Sequence, residues 1–182
     1  MGGKVLAQQA ILTDHMGGQF LTFMSGNELY AVDIMRVSEI IEISALTRVP
    51  KAPEFIRGVI NLRGGVVPVI DLTAKLGAGL SDLTKRSCVV LVTIEQPAGE
   101  QTLGLLVDEV REIIDIAPSD IKPPPALGDQ ADTGFIQGMA QVEDLFIILL
   151  EVSEVLTHHE IQQAGAISEQ LTGSLPDSEH IQ

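Results

Sequence analysis

The chain carries the same pattern twice, and this limits its fold more than any other feature of its 182 residues. Val37-Ser38-Glu39-Ile40-Ile41-Glu42-Ile43 reads V-x-E-I-I-x-I, and Val110-Arg111-Glu112-Ile113-Ile114-Asp115-Ile116 reads the same way 73 positions later. Phe55-Ile56-Arg57-Gly58 is matched by Phe135-Ile136-Gln137-Gly138 at an offset of 80. At that offset Val66-Val67-Pro68-Val69-Ile70-Asp71 also aligns with Phe146-Ile147-Ile148-Leu149-Leu150-Glu151. The order of matches is the same in both copies, as expected of a duplicated supersecondary unit.

Each copy offers an apolar strand (19–24 or 88–94), a turn, a long strand from Leu29 or Thr102, a Pro-containing link and a last hairpin. In the first copy that hairpin pivots near Gly64-Gly65, a pair suited to positive φ. Pro68 donates no ladder hydrogen bond, so its strand is expected at an edge or beside a bulge. Short strands and tight turns in two copies predict an all-β chain of two small barrels. The body spans 18–158, with pseudo-repeat halves 18–86 and 87–158. Halves of about 70 residues lie near the lower size for an independent core, so a shared hydrophobic interface is expected. Strand exchange between the halves stays open.

Asp71 precedes a short helical segment and is placed to cap it, and Glu151 holds the matching position. Val152, Val155, Leu156 and His159 fall on one helical face near the C-terminus. Residues 1–17 read as flexible and 159–182 as a disordered acidic tail; removal of 164–182 is expected to leave folding nearly intact.

Composition is 45% hydrophobic but only 3% aromatic, so the core must be aliphatic. Residues 1–99 hold nine basic and nine acidic side chains, while 100–182 hold two basic and sixteen acidic. A net charge of −14 argues against nucleic acid as a partner. No apolar run approaches the roughly 20 residues of a membrane helix, so no membrane insertion is expected. With no secretory pattern and a single cysteine, Cys88, the chain reads as cytoplasmic. Cys88 lies in an apolar strand and reads as a small buried hydrophobe.

All four histidines lie outside residues 18–150. The predicted body therefore lacks the usual general base and the commonest metal ligand. The sequence also shows no phosphate-cradling loop and no nucleophile elbow. No catalytic, cofactor or metal residues are assigned, and a hydrolase using an acidic pair is the alternative from another class. The most unusual stretch is Gly58-Val59-Ile60-Asn61-Leu62-Arg63-Gly64-Gly65, whose counterpart reads GMAQVEDL. Arg63 is thus either a solvated turn residue or part of a tip that has acquired a task.

The run from Phe55 to Gly64, followed by Val66-Val67-Pro68-Val69-Ile70-Asp71-Leu72, resembles the CheW family of chemotaxis coupling proteins. So do Tyr30-Ala31-Val32-Asp33-Ile34, Val37-Ser38-Glu39-Ile40 and Gly104-Leu105-Leu106-Val107-Asp108-Glu109-Val110; together the resemblance covers about residues 18–158. It implies two five-stranded SH3-like barrels on a shared core, no catalytic activity and no cofactor. It also implies two partners, the regulatory domain of the chemotaxis histidine kinase and the cytoplasmic tip of chemoreceptors, with ring assembly with the kinase and recruitment to membrane receptor arrays. Matching positions carry over Val37, Glu39, Gly58, Asn61, Arg63 and Gly64 as the partner-binding surface. An adaptor for a non-flagellar chemosensory system, such as one controlling pili or surface behaviour, is the alternative within the class.

Overall fold

The computed structural model describes residues 17–43, 46–77, 79–97, 99–123, 134–156, 160 and 163–167. The first copy forms β1 (Gly18–Ser25), β2 (Glu28–Asp33), β3 (Val37–Glu42), β4 (Ile56–Leu62), β5 (Gly65–Asp71) and a short helix, α1 (Leu72–Lys75). The second forms β6 (Cys88–Gln96), β7 (Gly99–Val107), β8 (Glu109–Ile116), β9 (Ile121–Lys122), β10 (Ile136–Val142), β11 (Leu145–Leu150) and α2 (Val152–Val155). A single 3-10 turn precedes β3, and another precedes β9.

The strands are exchanged between the copies. One sheet runs β8-β1-β2-β11-β10-β9 and the other β3-β6-β7-β5-β4. The first hairpin of each copy thus joins the last strands of the other. Both sheets are knit at the exchange point by a parallel pair, β2 with β11 and β5 with β7. The sequence halves are repeats, but neither is a barrel by itself.

The repeated strings occupy equivalent strands. Val37–Glu42 pairs with β6 and Glu109–Ile116 pairs with β1, each across a bulge near its start. β4 against β5 and β10 against β11 share one more bulge, between Ile56 and Gly58 and between Ile136 and Gly138. The F-I-x-G glycine has a packing reason. A Cβ on Gly58 would lie 2.6 Å from the Thr47 carbonyl oxygen, and one on Gly138 would lie 2.9 Å from that of Lys122. The expected five strands are met in one sheet. The other gains the two-residue β9, whose counterpart in the first is only the isolated bridge Thr47–Val59.

Pro68 meets the bulge half of its expectation and not the edge half. Its strand β5 is interior, but the β4–β5 ladder is bulged opposite Val69 and Ile70, and pairing with β7 begins only at Val69, so Pro68 lies one residue before the second ladder.

Alternation along the central strands feeds three clusters. Tyr30 and Val32 of β2 enter the core shared by the two sheets, with Phe23, Ile70, Leu105 and Leu150. Between them Ala31 turns into the interior of one barrel, beside Phe20, Ile147 and Leu149. The other barrel is filled by Val69, Val89, Leu91 and Leu106. Two of the few aromatic rings, Phe23 and Tyr30, stack in this shared core at 6.1 Å.

The tail expectation needs correction. Glu160 and 163–167 are helical, Ala164 is fully buried in the shared core, and Ile167 packs against it. The Glu160 carboxylate also accepts a 2.6 Å bond from Lys75 Nζ of α1. An alanine in a polar stretch carries little apolar signal, so its burial was not legible. His159, the segment 1–16 and residues 168–182 lie outside the described residues.

Candidate partner-binding surface

The β4–β5 hairpin turns on two residues, Arg63 and Gly64, because Leu62 pairs directly with Gly65. Both have positive φ, 54° and 81°, the left-handed geometry of the turn that matches strand twist. The pivot is therefore one residue earlier than the Gly64-Gly65 pair. Nothing lies within 4 Å of a Cβ built on Gly64, so its glycine answers to backbone angle and not to space.

Arg63 is 76% exposed, and its guanidinium donates to Glu39 Oε2 at 3.0 Å. β3 and β4 are the two ends of their sheet. The ion pair links them at the hairpin tip, and the Thr47–Val59 bridge links their connecting segment to β4. Asn61 is exposed beside the tip. The remaining candidates do different work. Val37 is half-buried against the shared core. Gly58 is buried under Thr47, where it lets two backbones approach and offers no side chain to a partner.

The base of this hairpin holds a buried acid that sequence reading placed only as a cap. Asp71 Oδ1 accepts from Ala74 N of α1 at 3.2 Å and from Ser81 Oγ at 2.8 Å. Its Oδ2 accepts from Ser81 N and from Arg57 Nη1, both at 2.8 Å. Arg57 donates in addition to the Ser81 carbonyl at 2.9 Å. The acid is fully buried, and its charge is balanced by Arg57. Four donors at one carboxylate satisfy the condition for burying it. The swap of Arg57 for Gln137 and of Asp71 for Glu151, at one offset, was the available signal.

The second hairpin repeats the frame with other chemistry. Its turn is Glu143-Asp144, both at positive φ (49° and 68°). Glu151 makes no side-chain cap; it accepts from Ser153 Oγ at 2.8 Å. The counterparts of Glu39 and Arg63 are Glu112 and Glu143, and both line a groove of about 420 Å³ with Arg111 and Leu145. Phe146 beside it is 63% exposed. The unbroken apolar run 145–150 hid that alternation from sequence reading.

No group of three or more His, Cys, Asp or Glu among the described residues is arranged to hold a metal ion. Cys88 is half-buried, not fully buried as expected. Burial, with a smaller push from Glu42, raises its thiol above the ordinary range and disfavours the nucleophilic thiolate. No helix among the described residues is long and apolar enough to cross a membrane.

Known proteins agree with this architecture. A family model described as CheW-like domain matches residues 19–160. The chemotaxis protein CheW of Rhizobium meliloti is 32% identical over 148 residues, 81% of this chain and 93% of that protein. Protein FrzA of Myxococcus xanthus is 32% identical over 141 residues, 76% of this chain and 84% of its own length. The crystal structure of the scaffolding protein TtCheW from Thermoanaerobacter tengcongensis superposes with a TM-score of 0.69 at 36% identity, covering 80% of this chain and 91% of that one. The repeated strings, the exchanged strands and these similarities converge: this chain belongs to the CheW-like family.

Proposed function

We propose that the chain is a non-enzymatic adaptor that couples chemoreceptors to the chemotaxis histidine kinase in cytoplasmic arrays at the membrane. The observation that carries this reading is the difference between two hairpin tips on one scaffold. Arg63 is exposed and paired with Glu39, while the same turn folds with Glu143 in the other copy. The cation is therefore not required by the fold.

Glu39, Asn61, Arg63 and Gly64 form the contact surface, and Val37 and Gly58 shape the strands beneath it. Two tips of different charge give one rigid body two distinguishable contacts. Receptor and kinase held on that body meet at high effective concentration. A change in receptor conformation then biases the kinase through differential contacts. The receptor tip is a helical segment that docks by helix-in-groove packing. Head-to-tail contacts with the kinase close into rings where the rotation permits. The second reading within the same class is an adaptor of a non-flagellar chemosensory system.

The test is direct binding of the purified chain to a kinase regulatory domain and to a receptor tip from the same cell. The adaptor reading expects both to bind, with Arg63→Glu weakening at least one by about tenfold or more, as loss of an interface hot spot does. Failure of both partners to bind the wild-type chain would overturn it.

A further inference from the structure

We propose that the Arg57–Asp71–Ser81 clasp builds one wall of a docking groove for an acidic amphipathic segment of a partner protein, at a surface distinct from the hairpin tip. The groove measures about 760 Å³ and lies between the link that leads into β4 and the loop that follows α1. On the link side stand Arg48 and Lys51, both exposed. Neither side chain has an ion pair or hydrogen bond among the described residues. Lys51 is presented at positive φ (66°) in a turn closed by the Ala52 N–H on the Val49 carbonyl. The loop side supplies Leu80 and Leu83, each 48% exposed.

The clasp explains why that loop stands where it does. Residues 79–87 contain no helix or strand, yet Ser81 is buried, and both its backbone N–H and its hydroxyl are consumed by Asp71. A wall fixed before binding lowers the ordering cost of association. The second copy has neither arm of the clasp, since Gln137 and Glu151 replace Arg57 and Asp71.

Charge selects the occupant. Arg57 is balanced by Asp71, and Glu54 is the single carboxylate among the lining residues, so Arg48 and Lys51 leave the groove cationic on a chain of net charge −14. A helix with carboxylates toward Arg48 and Lys51 and aliphatic side chains toward Leu80 and Leu83 satisfies both walls. A basic segment meets like charge.

The probe is a fluorescent peptide of about 18 residues, five helical turns, with leucines on one face and glutamates flanking them. Controls carry lysine in place of glutamate, or the same residues scrambled. Fluorescence anisotropy with the full chain is expected to show saturable binding of the acidic peptide that weakens with salt, and at least tenfold weaker binding of both controls. Arg48→Glu with Lys51→Glu, and separately Leu83→Ser, should each weaken binding about tenfold at unchanged melting temperature, while Arg63→Glu leaves it intact. Equal binding of the lysine or scrambled peptide to the wild-type chain would overturn the proposal, as would indifference to the groove substitutions. A chain ending at residue 167 that binds more than tenfold tighter than the full chain would assign the groove to the chain's own C-terminal segment and overturn the partner assignment.

Discussion

The β4–β5 and β10–β11 hairpins are one design carried out twice with different residues at the two ends. Their middles agree in detail: the same register, the same bulge, and the same N–H of the acid on the phenylalanine carbonyl, Asp71 on Phe55 at 2.7 Å and Glu151 on Phe135 at 2.8 Å. Their ends do not. The tip is Arg63-Gly64 in one and Glu143-Asp144 in the other, and the base is a four-donor clasp in one and a local serine contact in the other. What both copies share is what the fold requires. What only one copy has is free to serve something else, and each difference can be tested against its counterpart.

The largest contrast is expected at the base. Asp71→Ala removes a fully buried carboxylate, strands the Arg57 charge and uncaps α1, and should cost about 3 kcal/mol in chemical denaturation. Glu151→Ala removes no cap and should cost less than about 1 kcal/mol. Equal losses would mean that the two bases are energetically alike.

The glycines come next. Gly58→Ala drives a Cβ into a backbone oxygen and should cost about 2 kcal/mol. Gly138→Ala meets the movable Ile121 methyl at 2.8 Å and a backbone oxygen at 2.9 Å, and should cost about 1 kcal/mol. A neutral Gly58→Ala would remove the packing account and return this glycine to the partner surface.

A smaller effect sharpens the comparison of the two helices. Lys75 ties α1 to Glu160, and Ala164 and Ile167 of the helical residues 163–167 pack on the shared core. A chain ending at residue 163 should melt below one ending at 167 by the equivalent of about 1–2 kcal/mol, the low end for burying one aliphatic side chain because Ile167 is only half-buried. Identical melting temperatures would restore the reading of 164 onward as dispensable.

Much of this was legible because period and repetition are local properties of a chain. V-x-E-I-I-x-I and F-I-x-G marked equivalent strands, and Asp71 before a short helix announced a cap. Strand exchange was not legible, because an exchanged and an unexchanged barrel bury the same faces of the same strands. The Ser81 arm of the clasp was hidden by its position in an unpatterned loop. The exposed Phe146 was hidden in an apolar run. The Glu39–Arg63 contact joins residues 24 apart in sequence; only the family resemblance singled the two out together.

The central claim is that the first tip does work the fold does not need. Its most direct test is kinase activation in reconstituted receptor assemblies, measured for Arg63→Glu with melting temperature alongside. An exposed pair contributes only about 0–1 kcal/mol, so the variant should melt within that margin of the wild type. It should nevertheless fail to activate the kinase, be more impaired than Arg63→Ala, and regain part of the activity when Glu39→Arg restores the pair in reverse. Full activation by a well-folded Arg63→Glu chain would contradict the claim and leave Arg63 a solvated turn residue.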